Sequence, residues 1–141
     1  MDQYITFAVN NPMLSMAWLA IATMLVFITI KSKLSKIKEI STQQLTLLVN
    51  RENGVIVDIR SEADFNKGHI IGSKQHSLEK INNNDLVALE KEKANPIIVV
   101  CAAGMSASKA ANALAKAGFA QVNILKGGFS AWQSASLPVA K

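Results

Sequence analysis

The sequence predicts an α/β domain, built on a mainly parallel sheet flanked by helices and preceded by one N-terminal transmembrane helix. Three observations predict it. Short apolar runs at 55–59, 97–100 and 122–125 alternate with segments of helical spacing, the pattern of strands buried on both faces and joined by crossover helices. A run of 19 uncharged residues, Pro12 to Ile30, stands apart from them near the N-terminus. At 141 residues with 50% hydrophobic types, the chain is long enough for one domain plus an appendage and too apolar to be a disordered tail. We therefore divide it into 1–30 (a short external tail and the membrane helix), 31–40 (a basic tether) and 41–141 (the α/β domain).

The membrane helix reads PMLSMAWLAIATMLVFITI. At ~1.5 Å per residue it spans about 28 Å, close to the ~30 Å hydrocarbon core of a bilayer. Asn11 suits the N-cap. Pro12 suits the first helical position, where an N–H has no helical partner anyway. Tyr4 suits one interface, and Lys31 and Lys33 reach the other. A buried core helix of this length would carry a polar face. A cleaved signal peptide would open with basic residues and end in a small-x-small pattern, whereas here Asp2 is the one charged side chain before residue 31 and the run ends Ile30-Lys31. We expect an uncleaved single-pass anchor. Because positive flanks stay cytoplasmic, the N-terminus should lie outside and residues 31–141 in the cytoplasm, where one thiol fits a reducing compartment.

Ser41-Thr42-Gln43-Gln44 matches a capping box, with Leu45, Leu48 and Val49 following at helical spacing and Gly54 closing the turn. The first buried strand is then 55–59. Residues 85–93 read as an exposed helix that turns Leu86 and Leu89 inward. Pro96 opens the second strand, which ends at Cys101. A helix follows with Ala107, Ala110, Ala111 and Leu114 on one face, and Gly118-Phe119 ends it. Val122, Ile124 and Leu125 make the third strand. Gly127-Gly128 then turns the chain into a last helical segment around Trp132.

Net charge is +5, yet all 15 Lys and Arg follow residue 30, and Lys31, Lys33, Lys36 and Lys38 cluster within eight residues. From residue 39 on, 11 basic residues face 9 acidic ones, so nucleic acid is not an expected partner. Topology signalling explains the lysine cluster, since an integral anchor makes lipid sensing redundant. One cysteine excludes an internal disulfide framework and a multi-thiolate zinc site. Neither His69 nor His76 has neighbours at metal-ligand spacing, so no metal is expected.

The chemistry points to Cys101. In a parallel sheet, ligands bind beyond the carboxyl ends of the strands, and Cys101 stands at such an end before a Gly-containing loop and a helix start. The free amides of a helix N-terminus converge on anions and favour a thiolate. Free cysteines are also common as inert core filler, and position alone leaves both readings open.

Three stretches carry a resemblance: VIVDIRSEADFNKGHIIGS (55–73), IIVVCAAGMSASKAANAL (97–114) and NILKGGFSAWQSASLPV (123–139). Their order and spacing are similar to those of the single-domain rhodanese family over nearly all of residues 38–139, and the whole chain looks like the membrane-anchored type of bacterial inner membranes. The resemblance implies a sulfurtransferase without metal or organic cofactor. Cys101 matches the nucleophile that holds the outer sulfur of a donor such as thiosulfate as a persulfide. The amides of Ala102, Ala103, Gly104, Met105 and Ser106 match the cradle for its anionic sulfur. The implied partners are a sulfur donor and a thiophilic acceptor, either cyanide or a protein thiol. Asp58 and Arg60 match the family's Asp-x-Arg, expected to order the following turn. His69 is expected at a hydrogen-bonded corner, His76 near the pocket rim and Trp132 in the core.

Many active members carry Arg or Lys in this loop, and here there is none. Lys109, one turn into the helix, is the nearest cation in sequence and reads as solvated. Thiosulfate is thus expected to be a poor donor and a protein persulfide the better one. A phosphate- or arsenate-processing branch needs an Arg at the loop end, where this chain has Ala107 and Ser108. The alternative is a non-catalytic interaction module of the same fold, tethered beside a membrane-protein partner. Ala20 and Met24 give no dimerisation signal.

Overall fold

The computed structural model describes residues 1–34 and 37–141, which form two compact units, residues 1–35 and 36–141. The N-terminal unit holds two helices, α1 (Asp2–Asn10) and α2 (Pro12–Leu34). The expected external tail is therefore helical. Asn11 ends α1, its backbone N–H donating to Phe7 O. Among the described residues α2 is the one helix long and apolar enough to cross a membrane, over Pro12–Ile30 with mean hydropathy 2.2.

The second unit begins inside the stretch read as a tether. Ile37–Ile40 is a strand, β1, in parallel register with residues 122–125. The lysines interspersed with apolar residues over 31–40 made it resemble a tether. As an edge strand it buries Ile40 while Lys38 and Glu39 face solvent. Lys36 falls outside the described residues. Helix α3 (Thr42–Glu52) starts with the expected capping box: Ser41 Oγ accepts from Gln44 N–H, and Gln44 Oε1 accepts from Ser41 N–H at 2.9 Å. Its left-handed cap is Asn53, not Gly54. Gly54 is needed for closeness, since a Cβ there would meet Ile98 Cδ1 at 3.0 Å and Leu48 backbone at 3.1 Å.

The remaining elements are β2 (Val55–Asp58), α4 (Glu62–Lys67), β3 (His69–Ile70), β4 (Lys74–Gln75), α5 (Leu78–Asn82), β5 (Ile97–Val100), α6 (Ala107–Lys116), β6 (Val122–Leu125), α7 (Gly128–Ser134) and β7 (Val139–Ala140). Five strands form one sheet in the order β1-β6-β5-β2-β4, every pair parallel. A small antiparallel pair, β3–β7, stands beside it. Residues 85–93, expected as an α-helix, hold a 3₁₀ segment, Val87–Glu92. The three-residue spacing of buried Leu86 and Leu89 suits its three-residue turn.

Strand alternation sorts the core onto two faces. Val57, Ile97, Val99 and Ile124 pack with Leu89, Ala110, Leu114 and Phe119 on one side. Ile56, Ile98, Val100 and Leu125 pack with Leu45, Phe129 and Trp132 on the other. Both faces of the sheet are covered, which leaves the carboxyl ends of the strands as the place for a site.

Candidate active site

Strand β5 delivers Cys101 to the carboxyl edge of the sheet, and the loop 102–106 leads into α6. The Cys101 side chain is nearly buried, the residue 5% exposed. Its Sγ accepts the Gly104 N–H at 2.7 Å, a contact that requires the loop to fold back. Gly104 permits this with φ +92°, and a Cβ there would crowd Gly127 N at 3.3 Å. Ala102, Ala103, Met105 and Ser106 are exposed around it. Of the five residues expected to form the cradle, Gly104 is the one whose amide reaches Sγ among the described hydrogen bonds.

What holds the loop is α7. Phe129 N–H donates to Cys101 O at 2.7 Å, and Ser130 donates to Ala102 O at 3.0 Å through both its N–H and its hydroxyl. So close an approach demands Gly128, which sits at positive φ beside Gly127, where a Cβ would instead meet Ala131 within α7. A Cβ on Gly128 would overlap the Cys101 carbonyl and stand 2.8 Å from Gly104 N. The first amides of α7 thus point at the carbonyls of the cysteine loop, and the glycine pair is part of the site.

Arg60 is a second lock. Its guanidinium grips Asp58 through both carboxylate oxygens, donates to Gly68 O at 2.8 Å and lies 3.9 Å from the Phe129 ring centroid. The Arg60 and Asp58 side chains are 9% and 1% exposed. The pair therefore ties the end of β2 to the start of α7, beyond the expected ordering of the turn into Glu62–Phe65. Beside it lies a cleft of about 310 Å³ lined by Arg60, Asp64, Lys67, Ala102, Phe129 and Gln133, with Gly68 and Ser130 completing the wall. Cationic groups are thus present next to the neutral loop, supplied by the turn after β2 and by α4, while Lys109 is exposed on α6 and absent from this lining. At the cleft wall the Ser61 hydroxyl and the Lys67 ammonium hold the Asp64 carboxyl below its usual range. Sequence reading singled out Arg60 but missed Lys67 and Gln133, which lie 34 residues before and 32 after Cys101 and carry no motif of their own.

The other singled-out residues are structural. His69 Nδ1 lies 2.9 Å from Phe65 O, and its ring stacks on Phe65 at 3.8 Å. His76 is buried, with Nε2 2.6 Å from Asp85 O, and does not line the cleft. The indole of Trp132 donates to Pro138 O at 3.0 Å from within the core. Among the described residues no group of three or more His, Cys, Asp or Glu side chains could hold a metal ion.

The family model of the rhodanese-like domain matches residues 41–135. The chain belongs to the rhodanese-like family. Among its relatives is the "Uncharacterized protein YibN" of Escherichia coli (strain K12), 43% identical over 141 residues, all of this chain and 99% of that protein. The thiosulfate sulfurtransferase GlpE of Pseudoalteromonas translucida (strain TAC 125) is 41% identical over 100 residues, 70% of this chain and 90% of that enzyme. Among solved structures, the rhodanese-like domain of the Alr3790 protein from Anabaena sp. superposes with TM-score 0.64 at 30% identity, covering 72% of this chain and 77% of that one. The family assignment accounts for the mainly parallel sheet flanked by helices.

Proposed function

We propose that this rhodanese is a membrane-anchored sulfurtransferase that carries sulfane sulfur on Cys101. The observation that carries the reading is the Gly104 N–H pointing at Cys101 Sγ from 2.7 Å, in a loop whose backbone is fixed from behind by α7. In the first step the Cys101 thiolate attacks the outer sulfur of the donor. The donor's S–S bond breaks and its remainder, sulfite when the donor is thiosulfate, leaves with the bonding pair. The product is a Cys101 persulfide whose outer sulfur carries the negative charge. The Gly104 amide, already aimed at Sγ, stabilises that charge together with the other amides of the loop 102–106. A thiophilic acceptor, cyanide or a thiolate, then attacks the outer sulfur and releases the Cys101 thiolate. Two displacements return the enzyme unchanged, with no net oxidation and no resident metal or organic cofactor.

With a neutral loop, the cationic character of the neighbourhood comes from Arg60 and Lys67. Arg60 is engaged by Asp58, which leaves Lys67 to approach an anionic donor, and Asp64 offsets it. This supports a persulfide, small or protein-borne, as a better donor than dianionic thiosulfate. The uncharged 19-residue span and the lysines after it support a single-pass anchor in the bacterial inner membrane, with the N-terminus outside and the rhodanese domain in the cytoplasm.

The test is intact-mass spectrometry on the full chain in detergent, mixed with thiosulfate or with a protein persulfide, beside Cys101→Ser. Gain of one cyanide-removable sulfur on the parent alone supports the reading. No gain from either donor overturns it and leaves a tethered interaction module.

A further inference from the structure

Helix α1 is not absorbed by the sulfur chemistry, and its composition is sharply sided. At 100° per residue Asp2, Gln3, Thr6 and Asn10 fall within one sector of about 100°, and Tyr4, Ile5, Phe7, Ala8 and Val9 fill the rest. None of these residues is buried. Tyr4, Ile5, Phe7 and Val9 are all more than half exposed.

The elbow between α1 and α2 is built to keep them separate. Pro12 has no N–H to give to Ala8 O, the carbonyl four residues back. The Ser15 hydroxyl lies 3.2 Å from that carbonyl and 3.0 Å from Asn11 O. Asn11, restricted by the following proline, leaves the helical region at φ −131°, ψ 65°, while its side-chain amide donates to Phe7 O at 3.2 Å. An unbroken helix over 2–34 would be about 50 Å long, well beyond one hydrocarbon core. The break instead starts the span at Pro12. A groove of about 680 Å³, lined by Tyr4, Phe7, Leu14, Trp18 and Leu19 among others, runs from the apolar sector of α1 onto the first turns of α2. The medium that covers α2 therefore covers that sector too.

We propose that α1 is an interfacial helix docked on the phospholipid bilayer. Its Tyr4–Ile5–Phe7–Val9 sector lies in the boundary between headgroups and acyl chains, and its Asp2–Thr6–Asn10 sector faces water. This rests on the reading of α2 as a membrane span, and α1 then fixes the depth of the anchor.

Single-tryptophan forms of the full chain, in a Trp132→Phe background and reconstituted in phosphatidylcholine–phosphatidylglycerol vesicles, test it. One form keeps Trp18. Two others carry Trp18→Phe with either Tyr4→Trp or Thr6→Trp. Acyl chains brominated near the headgroup or near the terminal methyl serve as quenchers. The expected result is quenching of Tyr4→Trp mainly by the shallow bromines, with blue-shifted emission, and of Trp18 more strongly by the deeper ones. Thr6→Trp should be quenched by aqueous iodide and little by lipid. If Trp18 is quenched while neither α1 tryptophan responds to any brominated lipid, the anchor stands and the interfacial helix is refuted. Equal lipid quenching at positions 4 and 6 refutes the sidedness on which it rests. If Trp18 itself is unquenched, the span fails and the interfacial helix fails with it.

Discussion

Replacing Gly128 by alanine tests whether α7 holds the cysteine loop. Gly128 sits at φ +62°, where a residue with a Cβ is strained by about 1–2 kcal/mol. Its added methyl would also overlap the Cys101 carbonyl and press on Gly104 N and Ala102 C. Relief requires α7 to withdraw, lengthening the Phe129 N–Cys101 O and Ser130 N–Ala102 O bonds, now 2.7 and 3.0 Å. Each is worth about 0.5–1.5 kcal/mol, so the total loss is about 2–5 kcal/mol. Gly72→Ala is the control: its φ is +80°, but nothing stands within 4 Å of the new Cβ. It should lose about 1–2 kcal/mol from strain alone. Urea unfolding of the full chain in detergent measures both, and the difference amounts to a midpoint shift of roughly 1 M at ordinary m values. Sulfur loading of folded Gly128→Ala should fall as well, because the Gly104 amide moves with the loop, whereas Gly72→Ala should load normally. A Gly128→Ala protein as stable as Gly72→Ala, loading sulfur at the parent rate, would refute the idea that the glycine pair shapes this site.

Arg60→Gln leaves the buried Asp58 carboxylate without its guanidinium and should destabilise by about 3–5 kcal/mol; a loss below 1 kcal/mol in the same unfolding assay would mean the lock is not formed. Lys67→Glu should raise the thiosulfate KM several-fold while leaving the urea midpoint nearly unchanged, since its ion pair with Asp64 is exposed; an unchanged KM would remove Lys67 from donor approach. Leu114→Ala opens a cavity against a fully buried core and should cost about 2–5 kcal/mol, read from the same urea curves. Two carboxyls sit below their ordinary values of 3.8 and 4.5: Asp64, bound by Ser61 and Lys67, and Glu92, bound by Lys74 and Asn95. Depressed folded values mean that the charged forms add stability above those pH values, and that it is lost as pH falls through the lower folded ones. The double variant Asp64→Asn, Glu92→Gln should therefore be less stable than the parent at neutrality and converge with it as pH falls below 4.5, which makes its acid limb shallower; a parent–variant difference that does not shrink in acid would refute the pairing.

Sequence patterning alone determined the elements whose signal is local. The strands β2, β5 and β6 are apolar β-branched runs because both sheet faces are covered. The α3 capping box is four consecutive residues, and the apolar stripe of α6 repeats within one helix. Cys101, at the junction of strand, glycine loop and helix, was legible for the same reason. Where several local signals compete, the tertiary structure decided. Ile37–Ile40 reads as a tether until β6 offers its edge, and only then do Ile37 and Ile40 find the two core faces to pack on while Lys38 and Glu39 stay in solvent. Asn11 read as a cap for α2; its carbonyl does accept the Ser15 N–H at the start of α2, and its own N–H also closes α1 on Phe7 O, because the proline after it bars a continuous helix. The wall of the site could be read only in part: Arg60 and the glycine pair stood out, but not that they meet Lys67 and Gln133 beside the cysteine loop. Gly128, Arg60, Lys67 and Gln133 come from elements on both sides of Cys101 in sequence, and a parallel sheet brings such residues together only by gathering the carboxyl ends of its strands at one edge. Close backbone approach of α7 to the cysteine loop is a long-range contact that no local periodicity encodes, and it is what fixes the loop around Cys101.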